Sequence, residues 1–196
     1  MLNELNQLKE LLGSPNRFIV LAHKSPDGDA VGSAAAFFHF LSNLSCKVQV
    51  VLPDLPSDTL LPFMANTDCL YFSEQPDAVK TLFEESSVLI CLDFNAPSRV
   101  GDMQPLIEGF LGVKVMIDHH PEPEAFADLM LSDVTNSSTC QLIYECIEFM
   151  GLTHAVDQNV ARALYLGIMT DTGSFRFPSV SAKTHKILAA LLHTGI

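Results

Sequence analysis

The sequence predicts an α/β fold, a mostly parallel sheet with helices on both faces. Two observations predict it. Short continuous apolar runs of strand length recur at "RFIVLAH", "KVQVVLP", "SVLICLD" and "VKVMIDHH", and unbroken runs of that length suit strands buried on both faces. Between them stand longer segments with helical spacing, and strands that alternate with helices imply parallel pairing.

The elements follow in order. Leu2, Leu5, Leu8, Leu11 and Leu12 form a helical stripe, ended by Gly13, Ser14 and Pro15. "RFIVLAH" is the first strand. "GSAAAFFHFLSNL", rich in small and apolar residues, predicts a buried helix, and the β-branched "KVQVVLP" a second strand. "SDTLLPFM" predicts a helical turn, and "SEQPDAVKTLFEES" an amphipathic helix with Ser73 as its N-cap. "SVLICLD" is the third strand, "APSRVGDMQPLIEGF" a loop with a short helix, and "VKVMIDHH" the fourth strand. "NSSTCQLIYECIEFMG" predicts a helix capped from among Ser137, Ser138 and Thr139 and closed by Gly151. "DQNVARALYLGIMTDTG" is a helix opened by Asp157. "SFRF" reads as a short extended piece, and "SAKTHKILAALLHTG" as a last helix closed by Gly195.

Bulk properties narrow the function. With 196 residues, 48% of them hydrophobic, the chain suits one domain over 1–196 with a substantial core. No apolar run reaches the length of a membrane span. The N-terminal "MLNELNQLKELLG" has neither the basic start nor the apolar centre of a signal peptide, which predicts a cytoplasmic protein. Cys46, Cys69, Cys91, Cys140 and Cys146 are odd in number and lack a C-x-x-C pair, so they suggest neither a disulfide framework nor a cysteine zinc site. The formal charge of −12 argues against long nucleic acid held on a general basic surface. It leaves two possibilities open: a short polyanion as substrate, and acids gathered around metal cations. No strand is followed by G-x-G-x-x-G, which argues against a Rossmann dinucleotide binder.

In an open parallel sheet, ligands bind beyond the carboxyl ends of the strands. His23, Asp27 and Asp29 follow the first strand in "HKSPDGD", Asp93 closes the third, and Asp118, His119 and His120 close the fourth. Asp171 ends the helix that contains "LYLGIMT". Carboxylates packed together repel one another and lose hydration. Two divalent cations carry about the charge needed to offset four carboxylates. Carboxylate and imidazole without thiolate suit Mn, Fe(II), Co or Zn, and the excess of carboxylate tilts the set towards Mn or Mg. Two ions about 3.5–4 Å apart are the usual machinery for displacement at phosphorus. Pro26 and Gly28 set the bend that lets three ligands converge from "HKSPDGD". His39, His154, His185 and His193 lie outside this pattern and read as ordinary histidines.

"HKSPDGDAVGS", "LDFNAPSRVGD", "IDHHPEP" and "LYLGIMTDTGSFRF" resemble, in order and spacing, the four motifs of the DHH phosphoesterase superfamily. The likeness runs from about residue 16 to the end of the chain. The resemblance implies that His23 and Asp27 hold one manganese ion and that Asp29 binds the second. It implies that Asp93 bridges the two, and that His119 and Asp171 complete the second site. Magnesium, cobalt or iron are the other ions it allows. His120 would face the scissile phosphate, and Asp118 would orient a histidine. "DFNAPSRVGD" and "TDTGSFRF" resemble the nano-RNase branch, with Arg99 as a candidate for the substrate phosphate. That branch implies a phosphodiesterase acting on short oligoribonucleotides, and on adenosine 3′,5′-bisphosphate as a phosphatase. The partners expected are therefore short oligonucleotides or nucleotides, with no membrane and with a homodimer among the assemblies allowed. Relatives carry a C-terminal substrate-binding domain with a Gly-Gly-Gly-His segment, which is absent from this sequence. The expectation is a DHH catalytic domain alone, either a part of a longer protein, with metal binding intact and turnover weak, or a naturally short member. Two other readings compete: an inorganic pyrophosphatase or exopolyphosphatase, and a non-catalytic nucleotide-binding module.

Overall fold

The run "RFIVLAH" forms strand β1 (Arg17–Ala22), buried from Phe18 onward. Its alternate side chains enter two separate cores, as the two-residue period of a strand requires. Phe18, Val20 and Ala22 pack into one core and Ile19 and Leu21 into the other. The computed structural model describes residues 2–196. On the first face lie α1 (Leu2–Leu12), α2 (Gly28–Asn43), α5 (Thr139–Phe149), α6 (Gln158–Asp171) and α7 (Ala182–Leu192). On the second lie α3 (Pro76–Glu85) and a 3-10 segment, Pro97–Met103, that leads into α4 (Gln104–Glu108).

Among the described residues the sheet has six strands in the order β3-β2-β1-β4-β5-β6, all parallel. They are β1, β2 (Lys47–Leu52), β3 (Cys69–Tyr71), β4 (Val88–Leu92), β5 (Val113–Asp118) and β6 (Leu129–Ser132). The chain winds outward from β1 in one direction through β2 and β3, then returns to lay β4 on the other side of β1. That reversal opens a crevice beyond the carboxyl ends of β1 and β4, where open α/β sheets bind their ligands.

The sequence reading placed the four inner strands and missed both edges. β3 has three half-buried residues, and β6 alternates buried with half-buried positions. Neither carries the continuous apolar run that marks a strand covered on both faces. Two further expectations are corrected. The N-cap of α3 is Gln75 rather than Ser73; it makes no side-chain cap bond, and Pro76 at the first turn starts the helix instead. "SFRF" is not extended. Gly173, Ser174 and Phe175 stand one after another in the left-handed region (φ 57°, 58° and 66°). Their amides and that of Arg176 turn back to the end of α6, with Ser174 N–H donating to Met169 O at 2.8 Å and Arg176 N–H to Thr172 O at 2.9 Å.

Helices α2 and α6 approach until their backbones touch. A Cβ on Gly32 would lie 2.6 Å from the Ala163 carbonyl oxygen. A Cβ on Gly167 would lie 2.2 Å from Cys140 Sγ and 2.5 Å from Asp29 Oδ1. Only glycine permits this spacing, and it carries Asp171, at the end of α6, up to the start of α2. Overpacking costs about 1–3 kcal/mol, against about 1 kcal/mol that alanine gains over glycine inside a helix. Gly32→Ala is therefore expected to lower the unfolding free energy in urea, by up to about 2 kcal/mol as the difference of those terms. An unchanged denaturation midpoint would mean that the two helices can part without cost.

Candidate metal centre

The stretch "HKSPDGD" makes the passage from β1 to α2, and each residue type has a local task. His23 leaves β1 with only 6% of its surface exposed, and its Nδ1 lies 2.8 Å from the Lys24 carbonyl oxygen. A carbonyl only accepts, so Nδ1 carries the hydrogen and Nε2 keeps its lone pair for the crevice. Ser25 adopts a left-handed backbone (φ 53°). It is pinned by Asp54, beyond β2, whose carboxylate accepts from the Ser25 N–H at 2.8 Å and from the hydroxyl at 3.4 Å. Asp27 is the N-cap of α2, with Oδ1 accepting from the N–H groups of Asp29 and Ala30, both at 3.0 Å. Asp29 then points inward from the first turn, 2% exposed.

Asp93 follows β4 at φ 64°, a left-handed conformation that aspartate tolerates better than most side chains. Its N–H donates to the Ile117 carbonyl of β5 at 3.1 Å, which fixes the turn. His119 and His120 follow β5. His119 Nδ1 lies 3.4 Å from the Asn136 carbonyl, again leaving Nε2 for the crevice. The fully buried Asp118 accepts from the His120 backbone N–H at 3.1 Å and lies 2.7 Å from His120 Nδ1.

Of the eight side chains marked at the strand ends and on α6, seven converge, and the eighth, Asp118, stands behind His120. Three groups have candidate ligand atoms within 4.8 Å of one another: His23, Asp27 and Asp93; Asp29, His119 and Asp171; and Asp93, His119 and His120. The first two groups share no residue, and Asp93 lies between them. Its Oδ2 is 3.6 Å from His23 Nε2, and its Oδ1 is 3.9 Å from His119 Nε2. On the far side His119 Nε2 is 3.4 Å from Asp171 Oδ2. Arg99 stands at the rim in the Pro97–Met103 segment. Its side chain is exposed, and its charge reaches His120. None of the three groups takes in His39, His154, His185 or His193.

Charge crowding shows in the protonation of these groups. Burial, then the charges of Asp93 and Asp171, hold the Asp29 carboxyl well above the usual range, and the Cys140 hydrogen bonds offset only part of that. Burial also raises Asp171; His119 pulls it down, and Asp93 and Asp27 push it up. Burial pushes Asp93 up as well, but hydrogen bonds and charges from His23, Thr139 and His119 outweigh it and leave it lowered. His23 is raised, since its bonds to Asp93 and the Lys24 carbonyl overcome the burial that opposes its charge. The Asp118 bond raises His120 against a smaller burial effect. Without cations, Asp29 and Asp171 hold their protons more tightly than ordinary carboxyls do. The donor set, four carboxylates with imidazoles whose lone pairs face inward, fits divalent ions in their place.

The sequence reading did not single out Thr139 or Asp54. It treated Ser137, Ser138 and Thr139 as one capping cluster. Ser138 is the cap of α5, accepting from the Gln141 N–H at 3.0 Å. Thr139 instead donates its N–H to Asp29 Oδ2 at 2.6 Å and its hydroxyl to Asp93 Oδ1 at 2.8 Å. The only signal in the sequence was three adjacent hydroxyls where one cap would do.

Residues 17–168 match the DHH family, N-terminal domain. Among curated proteins the chain is similar to the bifunctional oligoribonuclease and PAP phosphatase NrnA of Thermus thermophilus, 30% identical over 177 residues, which are 90% of this chain and 50% of the relative. Among solved structures it superposes on an exopolyphosphatase-related protein from Bacteroides fragilis with a TM-score of 0.97 and 32% identity, over 100% of this chain and 58% of the other. Exonuclease RecJ bound to manganese shares the fold, with a TM-score of 0.56 and 15% identity over 97% of this chain and 47% of that one. The chain spans about half the length of the curated relatives it matches. The family match covers most of the chain and includes the candidate ligand groups that follow β1, β4 and β5, so the chain belongs to the DHH family.

Proposed function

We propose that the chain carries the catalytic centre of a manganese-dependent phosphodiesterase that hydrolyses short oligoribonucleotides, and that the same centre removes the 3′-phosphate of adenosine 3′,5′-bisphosphate. The observation that carries this reading is the pair of separate three-residue groups joined at Asp93, set in the crevice where the strand order reverses. The name of the Thermus relative supports the substrate class. The net charge of −12 supports a small substrate over a long duplex.

In this reading His23 and Asp27 would hold one ion, Asp29, His119 and Asp171 would hold the other, and Asp93 would be shared between them. When bound, the ions supply positive charge against the phosphate oxygens and make water more acidic. The residues of the chain do the rest. Asp118 fixes the His120 ring through Nδ1, so Nε2 is the nitrogen left to meet a phosphate oxygen and to give or take a proton there. Arg99 lends a second positive charge at the rim, and its guanidinium can bind two phosphate oxygens at once. Asp29 and Asp93 are themselves almost wholly shielded from bulk solvent, which keeps their carboxylates fixed in the crevice wall.

The substrate assignment is tested by offering a diribonucleotide, adenosine 3′,5′-bisphosphate and pyrophosphate to the manganese-loaded protein. Cleavage of the first two is expected. Cleavage of pyrophosphate alone would replace this reading with the pyrophosphatase one. His120→Ala is expected to lower kcat by about 10²–10⁴-fold, the usual worth of a positioned acid or base, while the bound metal measured by atomic absorption stays unchanged. Loss of an ion would mean that His119 and His120 have exchanged roles. Asp93→Ala is expected to abolish turnover and weaken both ion sites, and near-normal turnover would remove its bridging role.

The pH dependence has a definite sign. Asp29 and Asp171 bind protons more tightly folded than unfolded, so the metal-free fold loses stability as pH rises from about 3.9 through their folded values. His23 and His120, also raised, add stability that is full below about 6.5 and lost as pH rises through theirs. Asp93 alone acts in the opposite direction, its contribution appearing as pH rises towards about 3.9. The deprotonated groups are the ones that bind cations. Manganese should therefore raise the melting temperature by more at pH 8 than at pH 5.5. Equal shifts in calorimetry would mean that the ion binds elsewhere.

A further inference from the structure

Thr139 occupies an unusual place. It is fully buried at the first turn of α5, between two buried carboxylates of the crevice, Asp29 and Asp93. Its N–H donates to Asp29 Oδ2 at 2.6 Å and its hydroxyl to Asp93 Oδ1 at 2.8 Å. Those two oxygens are the ones that face His119, each 3.9 Å from its Nε2. The other oxygen of Asp93, Oδ2, faces His23 and receives nothing from Thr139. Thr139 therefore grips one side of the crevice only.

We propose that Thr139 is a positioning residue for the second ion site, holding Asp93 Oδ1 and Asp29 Oδ2 towards His119 and so dividing the two oxygens of Asp93 between the two sites. This rests on the reading of the crevice as a two-ion centre. The physical reason is rotational. A carboxylate on a short side chain can swing both oxygens to one side, and a donor fixed to one oxygen removes that freedom. The backbone N–H of Thr139 is fixed by the helix. Its hydroxyl sits on a short, fully buried side chain, and its bond to Asp93 Oδ1 holds it in place as well. Cys140 N–H, at 3.0 Å from Asp29 Oδ1, closes the remaining freedom of Asp29. Partners behind a metal ligand typically set about 10–100-fold in metal affinity, and here the effect should fall on one ion of the two.

The test is an equilibrium manganese titration of the metal-free protein, with free ion followed by electron paramagnetic resonance and the spin-coupled pair as a second signal. The wild type should bind two ions. Thr139→Val should keep one at wild-type affinity, weaken the other by about 10–100-fold, and lose the spin-coupled signal at limiting metal. Thr139→Ser, which keeps the hydroxyl, should restore both. Thr139→Ala serves as the second hydroxyl-free variant should valine fail to fold by circular dichroism. Two ions bound by the hydroxyl-free variant as in the wild type would overturn the proposal, and so would equal weakening of both ions. A serine variant that behaves like valine would overturn it too, since the methyl and not the hydroxyl would then matter. A wild type that binds a single ion would remove the two-ion reading itself, which is a separate result from any behaviour of the variants.

Discussion

Like charges set the terms for this molecule. Four carboxylates, Asp27, Asp29, Asp93 and Asp171, meet in one crevice, and Asp29 and Asp93 are almost wholly removed from water. Two like charges 4 Å apart repel by about 4 kcal/mol at an effective dielectric of about 20. A fold does not gather such groups without something to hold them. The helix-end amides of Thr139 and Cys140 hold Asp29, and the Thr139 hydroxyl holds Asp93. His23 and His119 stand close on either side. These donors orient the acids without cancelling their charge, and the raised protonation of Asp29 is the sign of what remains.

The rest of the architecture serves that gathering. The strand order places the ends of β1 and β4 side by side, with β5 next in line. Four of the seven converging residues come from those ends within a few residues of a buried strand. Asp171 comes from a helix, and it arrives only because Gly32 and Gly167 let α2 and α6 close upon each other. Asp93 reaches its place through a left-handed backbone that its own hydrogen bond to β5 maintains. The strained positions Ser25 and Asp93 both lie at the crevice, where a local cost is tolerated because the surrounding structure determines the conformation.

Much of this was legible in the sequence, for a physical reason. Central parallel strands must be apolar on both faces, so "RFIVLAH", "SVLICLD" and "VKVMIDHH" announce themselves, and the polar residues that end them mark the rim. The edges were not legible. β3 and β6 are short and half-exposed, and nothing in three or four such residues separates a strand from a loop. "SFRF" looks extended by composition, yet its amides find better partners at the end of α6. Within the crevice, the acids and imidazoles that converge, and the element that brings each there, could be read directly. The two bonds of Thr139 could not, because their acceptors lie 110 and 46 positions away in the chain and only the fold brings them together.

Those separations bear on how the protein assembles. β1 and β4 pair in parallel across some seventy intervening positions, Phe18 against Val88, and the loop between them must close before either strand end can face the other. Contacts of such range form late, after local helices, because the entropy of closing the chain precedes any reward. The crevice is thus complete only once that long-range pairing has formed. A bound cation would report on the completed topology rather than on helix content, and a chain with native-like helices but a parted central sheet would hold none.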